Sequence, residues 1–276
     1  MALSQRRHYE PARELFGKAL AVGRSERETR ALLEQASPLV DPAGARVRLW
    51  PPPPGTGSES TDAVLSSIRD REHDLVMKAL ARSPRRRGAL IDPLDSLLIR
   101  QCPCPVWLAD PTERRRIRRI VAAVNPVVND RLDDAIAVAS VAAAVAASSG
   151  AELHVLHAWI AYGETLLRPR VPPHELQEYV DGEREAAAER VDAVLAAARI
   201  RIPAARIHLV KGHFHRLLPG LIERNRIDLV VMGTRGRQGW TAGALLRPYA
   251  EVVLRDTCGP LLVVKSHTSC VAGGRH

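Results

Sequence analysis

Residues 227–265, IDLVVMGTRGRQGWTAGALLRPYAEVVLRDTCGPLLVVK, constrain the fold of this chain more than any other stretch. An apolar run at 227–232 has the length of a buried parallel strand, and the glycine-rich loop GTRGRQG (233–239) follows it at once. An amphipathic helix ending near Arg255 and a second apolar run at 260–264 complete the stretch. Strand, loop, helix and strand in that order form a crossover unit, because parallel strands cannot be joined by a tight turn. Glycine tolerates positive φ and lets backbone N–H groups close on an anion at a helix start, so the loop predicts a phosphate-sized site.

The same alternation runs back to residue 117. A strand at 117–124 leads to a loop at 125–130 and a helix at 132–148 stopped by Gly150. A strand at 152–159, a proline-containing excursion, a long helix at 174–199, a strand at 206–210 and a helix at 214–225 follow. Five strands alternating with helices imply a parallel, doubly wound sheet whose ligands bind beyond the carboxyl ends of the strands, where strand order reverses. Asn125 follows the first of these strands and Gly233 the fourth, so both are expected on that rim. Asn129 and Asp130 are suited to cap the next helix.

The first half repeats part of this plan. HDLVMK (73–78) matches IDLVVMG (227–233), and LLIRQCPCPVWL (97–108) matches VVLRDTCGPLLVV (252–264). The offset of about 155 residues marks a tandem duplication rather than a solenoid. Residues 9–20 have helical spacing, and no strand-like run is recognised before Val47. A helix at 26–36 and a strand at 45–50 precede four prolines, 51–54, which forbid regular structure. Thr61 is suited to cap a helix through Ile68. A strand at 74–78, a helix at 92–101 begun by Asp-Pro and a strand at 104–109 end this half, and 111–116 is a charged linker. The first half is therefore expected to be incomplete at its N-terminus, without an opening strand, helix and second strand, through loss or a late start. The units expected are 1–110 and 117–276.

Lys+Arg number 40 against 31 Asp+Glu, a net charge of +9 that permits anionic ligands or nucleic acid. The densest arginine runs, 85–87 and 114–116 with Arg118 and Arg119, lack interleaved aromatics and read as solvated loop and linker. The four cysteines, Cys102, Cys104, Cys258 and Cys270, form no disulfide framework in a chain of 276 residues and read as buried thiols. Cys102 and Cys104 are poorly spaced for a metal. No apolar run of about 18 residues suggests a membrane span, the nearest being the alanine-rich helix at 135–147. No signal peptide is recognised, so a soluble, cytoplasmic protein is expected. No Lys-Ser/Thr follows the glycines, which excludes a P-loop. His213 and His215 lie at a strand end and read as a turn, with ligand contact as the alternative; no metal is implied. His154 and His157 point to opposite faces of a strand and read as packing residues.

With these residues in view, the chain resembles the universal stress protein family, in particular its tandem-domain E type, over most of residues 45–265. DLVVMGTRGRQG, AEVVLR and PLLVVK carry the resemblance, with VKGHFHRLLPGLIE, DLVMKAL and IRQCPCPVWLAD beside them. It implies two adenine nucleotide alpha hydrolase-like α/β domains, packed as a pseudo-dimer through their last strands, 105–109 and 261–265, with a homodimer as a further arrangement. It also implies a stress-response protein without turnover that binds a small molecule, with ATP in the second half as a candidate, or a protein partner. In nucleotide-binding members the loop reads G-x2-G-x9-G-[S/T/N]. Gly233 and Gly236 match its first two glycines. Arg247 and Pro248 fall on the third glycine and the hydroxyl position, which removes an N–H and a hydroxyl from the phosphate cradle. Asn125 stands where nucleotide-binding relatives carry Asp. Arg235, Arg237 and Arg247 read in two ways, as charges that together offset a phosphate or as solvated loop arginines. Lys78-Ala79 replaces the Gly-Thr loop start of the first half, which is expected to hold no nucleotide. A slow nucleotide hydrolase and a basic nucleic-acid-binding protein are the alternatives; no nucleophile with an adjacent base can be named for the first.

Overall fold

A computed structural model of the chain describes residues 16–37, 39–40, 46–49, 61–70, 73–80, 92–113, 116–126, 132–233, 249–256 and 259–265. The proline run 51–54, Arg85 to Arg87, Arg114, Arg115, Asn129, Asp130, Arg235, Gly236, Arg237, Arg247, Pro248, Cys258 and Cys270 lie outside the described residues.

Two aspartates do the same work at the feet of two strands. Asp228 precedes β8 (Leu229–Gly233), and its Oδ2 accepts the N–H groups of Arg118 (2.8 Å) and Arg119 (3.0 Å) at the start of β5 (Arg119–Ala123). Asp74 precedes β3 (Leu75–Ala79) and accepts the N–H groups of Gly17 (2.8 Å) and Lys18 (2.9 Å) ahead of β1 (Ala19–Gly23). Each aspartate also donates its own N–H to a carbonyl on the same neighbour, Arg119 or Lys18. β1 is thus the counterpart of β5. The expectation that no strand precedes Val47 is overturned: the first half has its opening strand. That strand is only five small residues, ALAVG, buried on both faces, and so short an apolar run fits helix and strand alike.

The strand order is β2-β1-β3-β4-β9-β8-β5-β6-β7, one nine-stranded sheet, with β2 at Arg46–Leu49, β4 at Val106–Ala109, β6 at Glu152–Trp159, β7 at Ile207–Lys211 and β9 at Leu261–Val264. All pairs within each half are parallel. The halves meet through β4 and β9, which run antiparallel with Trp107 opposite Leu262, Val106 opposite Val263 and Leu108 opposite Leu261. Trp107 and Leu262 are each the second residue of the last strand in their half, so a pseudo-twofold axis passes through that pair. The last strands join as the resemblance implied. Among the described residues the first half has four strands against five, and the strand without a counterpart is β7 in the middle of the second half: β2 lies beside β1 where β6 lies beside β5.

Helices cover both faces. α1 (Glu26–Gln35), α4 (Leu132–Ser149) and α6 (Pro173–Ala197) bury one core with Leu75, Met77, Leu229 and Val231. α2 (Thr61–Asp70), α3 (Pro93–Gln101), α7 (Phe214–Asn225) and α8 (Tyr249–Asp256) bury the other with Val76, Val230 and Met232. Alternate residues of each central strand thus enter different cores, which is why these strands read as unbroken apolar runs. Ser25 caps α1, its Oγ accepting the Glu28 N–H (3.2 Å), and Glu28 Oε2 accepts the N–H of Arg24 just ahead of the cap (2.8 Å). α4 is long and apolar enough to cross a membrane by length and composition alone. Here it lies against the sheet, with Ala135, Val138, Ala142 and Val145 among its buried residues.

Side chains also cross the seam. Glu251 on α8 is buried, and its Oε1 accepts Ser96 Oγ–H (2.6 Å) and Arg100 Nε–H (2.7 Å) from α3. Lys265, just beyond β9, donates from Nζ to the carbonyls of Leu98 (3.3 Å) and Ile99 at the end of α3. Glu251→Ala strips a buried acceptor from two donors and is expected to cost about 2–3 kcal/mol in urea denaturation. Glu251→Gln, which keeps an acceptor, is expected to lose less.

Candidate functional site

In the second half strand order reverses at β5, which lies between β8 and β6. Ala123 pairs with Met232, so the chain leaves adjacent strands side by side at Asn125 and Gly233. These two expected site residues are brought together; Arg235, Gly236, Arg237 and Arg247 lie outside the described residues. Asn125 is exposed, while Val124 behind it is buried and fixed on both sides. Its N–H donates to Leu156 O (3.0 Å), and its carbonyl accepts Nδ1–H of His157 (3.2 Å). Burial pushes the His157 pKa down and the hydrogen bond to Val124 partly opposes this, so the imidazole is neutral with its proton on Nδ1. His157 therefore braces the backbone from which Asn125 projects. Sequence reasoning made it a packing residue, because the contact joins strands 33 residues apart.

Gly233 has no positive φ, and among the described residues a Cβ built on it meets Val138 Cγ2 alone, at 3.6 Å, an ordinary contact. The described part of the fold makes no demand for glycine there. Gly212 is different. Its φ of 137° excludes other residues, and it forms the turn between β7 and α7. His213 and His215 follow that turn with ring centroids 5.7 Å apart, and no metal-holding group of three or more His, Cys, Asp or Glu occurs among the described residues.

The excursion after β6 is tied to this rim. Lys211 Nζ lies 2.6 Å from Glu164 Oε2 on α5 (Glu164–Leu167) and 5.8 Å from the centre of the Trp159 ring. The Lys211 hydrogen bond holds the Glu164 carboxyl below its usual range. Tyr179 Oη–H on α6 donates to Tyr162 O (2.6 Å). On the opposite face of β6, His154 stacks on His208, with Nδ1 3.0 Å from Nε2, and burial lowers both pKa values.

The first-half rim has the same strands and different contents. Strand register puts Ala79 at the Gly233 position and Lys78 at that of Met232, one residue from the correspondence read in sequence. Arg24 stands in the place of Asn125. Lys78 is fully buried; its Nζ donates to Ala79 O (2.8 Å) and lies 3.2 Å from Asp95 Oδ1 and 3.9 Å from Asp92 Oδ2. Asp92 caps α3 through the Leu94 N–H (2.8 Å), with Pro93 in the first turn as expected. In the sequence match between halves, Asp92-Pro93 corresponds to Arg247-Pro248. This half thus fills its rim with its own charges.

Desolvation raises Asp95 to about 6, against the attraction of Lys78. The folded protein then keeps a proton that the unfolded chain has released above its pKa of 3.8. Stability is expected to fall by up to about 3 kcal/mol as pH rises from about 4 to about 6, and Asp95→Asn to flatten that slope in urea titrations.

A separate cleft of about 140 Å³ opens between the carboxyl end of β4 and the amino ends of β8 and β9, lined by Trp107, Ile117, Ile227, Asp110, Glu113 and Asp228 among others. Ligand pockets commonly run to about 300–1,000 Å³, and three carboxylates oppose phosphate, so this cleft does not compete with the rim. Nor do the linker arginines all stay free: Glu152 pairs with Arg119 (3.3 Å) and with Arg206 (2.9 Å).

The sheet order, the switch point and the paired last strands define a doubly wound α/β protein of the adenine nucleotide alpha hydrolase-like class. Residues 117–265 match the Universal stress protein family, and the chain belongs to it. It is similar to Universal stress protein E of Escherichia coli strain K12, 28% identical over 208 residues, which are 74% of this chain and 64% of that protein. The Universal stress protein E homolog of Haemophilus influenzae is 25% identical over 210 residues, 75% of this chain and 67% of that one. The chain thus spans about two thirds of the length of these relatives. Among solved structures it is similar in fold to a functionally unknown protein of Pseudomonas aeruginosa PAO1, with a TM-score of 0.60, 21% identity and coverage of 90% of this chain and 81% of that chain. A universal stress protein of Archaeoglobus fulgidus gives a TM-score of 0.55 at 16% identity, over 91% of this chain and 87% of that one.

Proposed function

We propose that the unit at residues 117–276 binds a small anionic ligand, an adenine nucleotide foremost, at the rim between Asn125 and Gly233. The unit at 1–110 acts as a companion that binds none, and the protein serves in the stress response without turnover. The observation that carries this reading is the contrast between two rims of one topology. One is filled by the buried Lys78–Asp95 pair, while the other presents Gly233, for which the described fold has no packing need. In this reading Asn125 offers hydrogen bonds to a base or ribose, Gly236 allows close backbone approach, and Arg235, Arg237 and Arg247 supply the charge that Pro248 cannot replace with an N–H.

Titration calorimetry with ATP is expected to give micromolar affinity, abolished by Gly236→Arg and weakened about tenfold by Asn125→Ala, about 1.4 kcal/mol. Asn125 is exposed, so its loss should leave the melting temperature unchanged. No heat from the intact protein rejects the reading. Phosphate release above buffer that falls on Asn125→Ala would overturn the absence of turnover.

A further inference from the structure

The seam between the halves holds a pair of thiols, buried in the second core, that the rim does not use. Cys102 caps the end of α3, donating its N–H to Leu98 O (3.1 Å), and Cys104 lies two residues before β4, with Pro105 between. The chain bends at Pro103 and Cys104 and folds the two side chains onto each other, with Sγ atoms 3.6 Å apart. Both residues are buried, at 3% and 7% exposure. Continuing the β4–β9 register places Lys265 opposite Cys104, and its ammonium sits on the last carbonyls of α3 beside the pair. A cation contributed by the other half therefore faces a vicinal dithiol.

We propose that Cys102 and Cys104 are an oxidisable pair that closes to a disulfide when the protein meets hydrogen peroxide. The pair loses its first proton more readily than an isolated buried thiol. The remaining S–H of Cys104 donates to the Cys102 thiolate, and Lys265 and Arg69 add positive charge. The second proton is held firmly, chiefly by that same hydrogen bond and by burial. Burial lowers Lys265 to about 8, so it still carries its charge at neutral pH. In the first step the Cys102 thiolate attacks one peroxide oxygen, the O–O bond breaks and hydroxide leaves to take up a proton as water. Cys102 becomes a sulfenic acid. In the second, the Cys104 sulfur attacks the sulfenyl sulfur and loses its proton as the S–O bond breaks and a second water leaves. Two thiols lose two electrons and one peroxide gains them. The sulfurs have only to close from 3.6 Å to about 2.05 Å, and Pro103 already holds the intervening backbone in a bend.

The test is intact mass spectrometry of the full chain after hydrogen peroxide treatment, with peptide mapping of the thiols. The expected result is the loss of two hydrogens, mapped to Cys102–Cys104 and restored by dithiothreitol. In Cys104→Ser the reaction should stop at a Cys102 sulfenic acid that dimedone traps. Lys265→Met should slow the loss of free thiol roughly tenfold, because the thiolate loses a cation that faces it. A pair that stays reduced in the folded intact protein overturns the proposal. So does a disulfide formed to Cys258 or Cys270, and so does oxidation equally fast in Lys265→Met.

Discussion

The antiparallel contact of β4 with β9 is the constraint on which the rest of the molecule depends. Each half ends on a strand whose outer edge would otherwise show a row of unpaired N–H and C=O groups, an arrangement prone to unwanted pairing. Joining the two edges removes both and fuses two parallel sheets into one. Because the join is antiparallel, the carboxyl ends of the two sets of strands face opposite ways. The two rims are therefore well separated and free to diverge, and they have done so. Only the seam must stay complementary, and it is there that the buried Trp107, the Glu251 bonds to Ser96 and Arg100, and the Lys265 bonds to α3 gather.

The divergence of the rims follows from a few side chains on a common frame. Asp74 and Asp228 show the frame unchanged, each tying the foot of one strand to its neighbour. Above them, Lys78 enters the interior and holds Asp92 and Asp95 from the start of α3 against the end of β3. A buried ammonium without those carboxylates would be costly, so the three changes belong together. In the second half the corresponding strand position is the apolar Met232, and the rim next to Asn125 and Gly233 needs no such internal filling. Membership of the universal stress protein family rests on this second half, residues 117–265.

Much of the fold was legible because its strands are buried on both faces. Continuous runs such as LVVM and LLVV, punctuated by glycine or proline and separated by helical spacing, leave few alternatives to a parallel sheet. The strand at 152–159 and the helix at 214–225 are read to the residue. β1 was missed because five small residues beside an arginine-rich stretch carry too weak a period, and its identity comes from Asp74, an interaction across 56 residues. The sequence places His157 on its strand but does not show its role, since its partner is the backbone carbonyl of Val124, just past the end of another strand.

By itself the sequence determined the alternation of elements, the duplication, the family and the positions of Asn125 and Gly233 at strand ends, because these depend on local period and short-range chemistry. Tertiary structure alone decided what those residues face. It set the one-residue register that puts Ala79 rather than Lys78 opposite the Gly233 position. It closed the first rim with a buried ion pair, and it brought Lys265 to Cys102 and Cys104 across more than half the chain. Such contacts depend on strand order and on the antiparallel seam, and no local pattern encodes either.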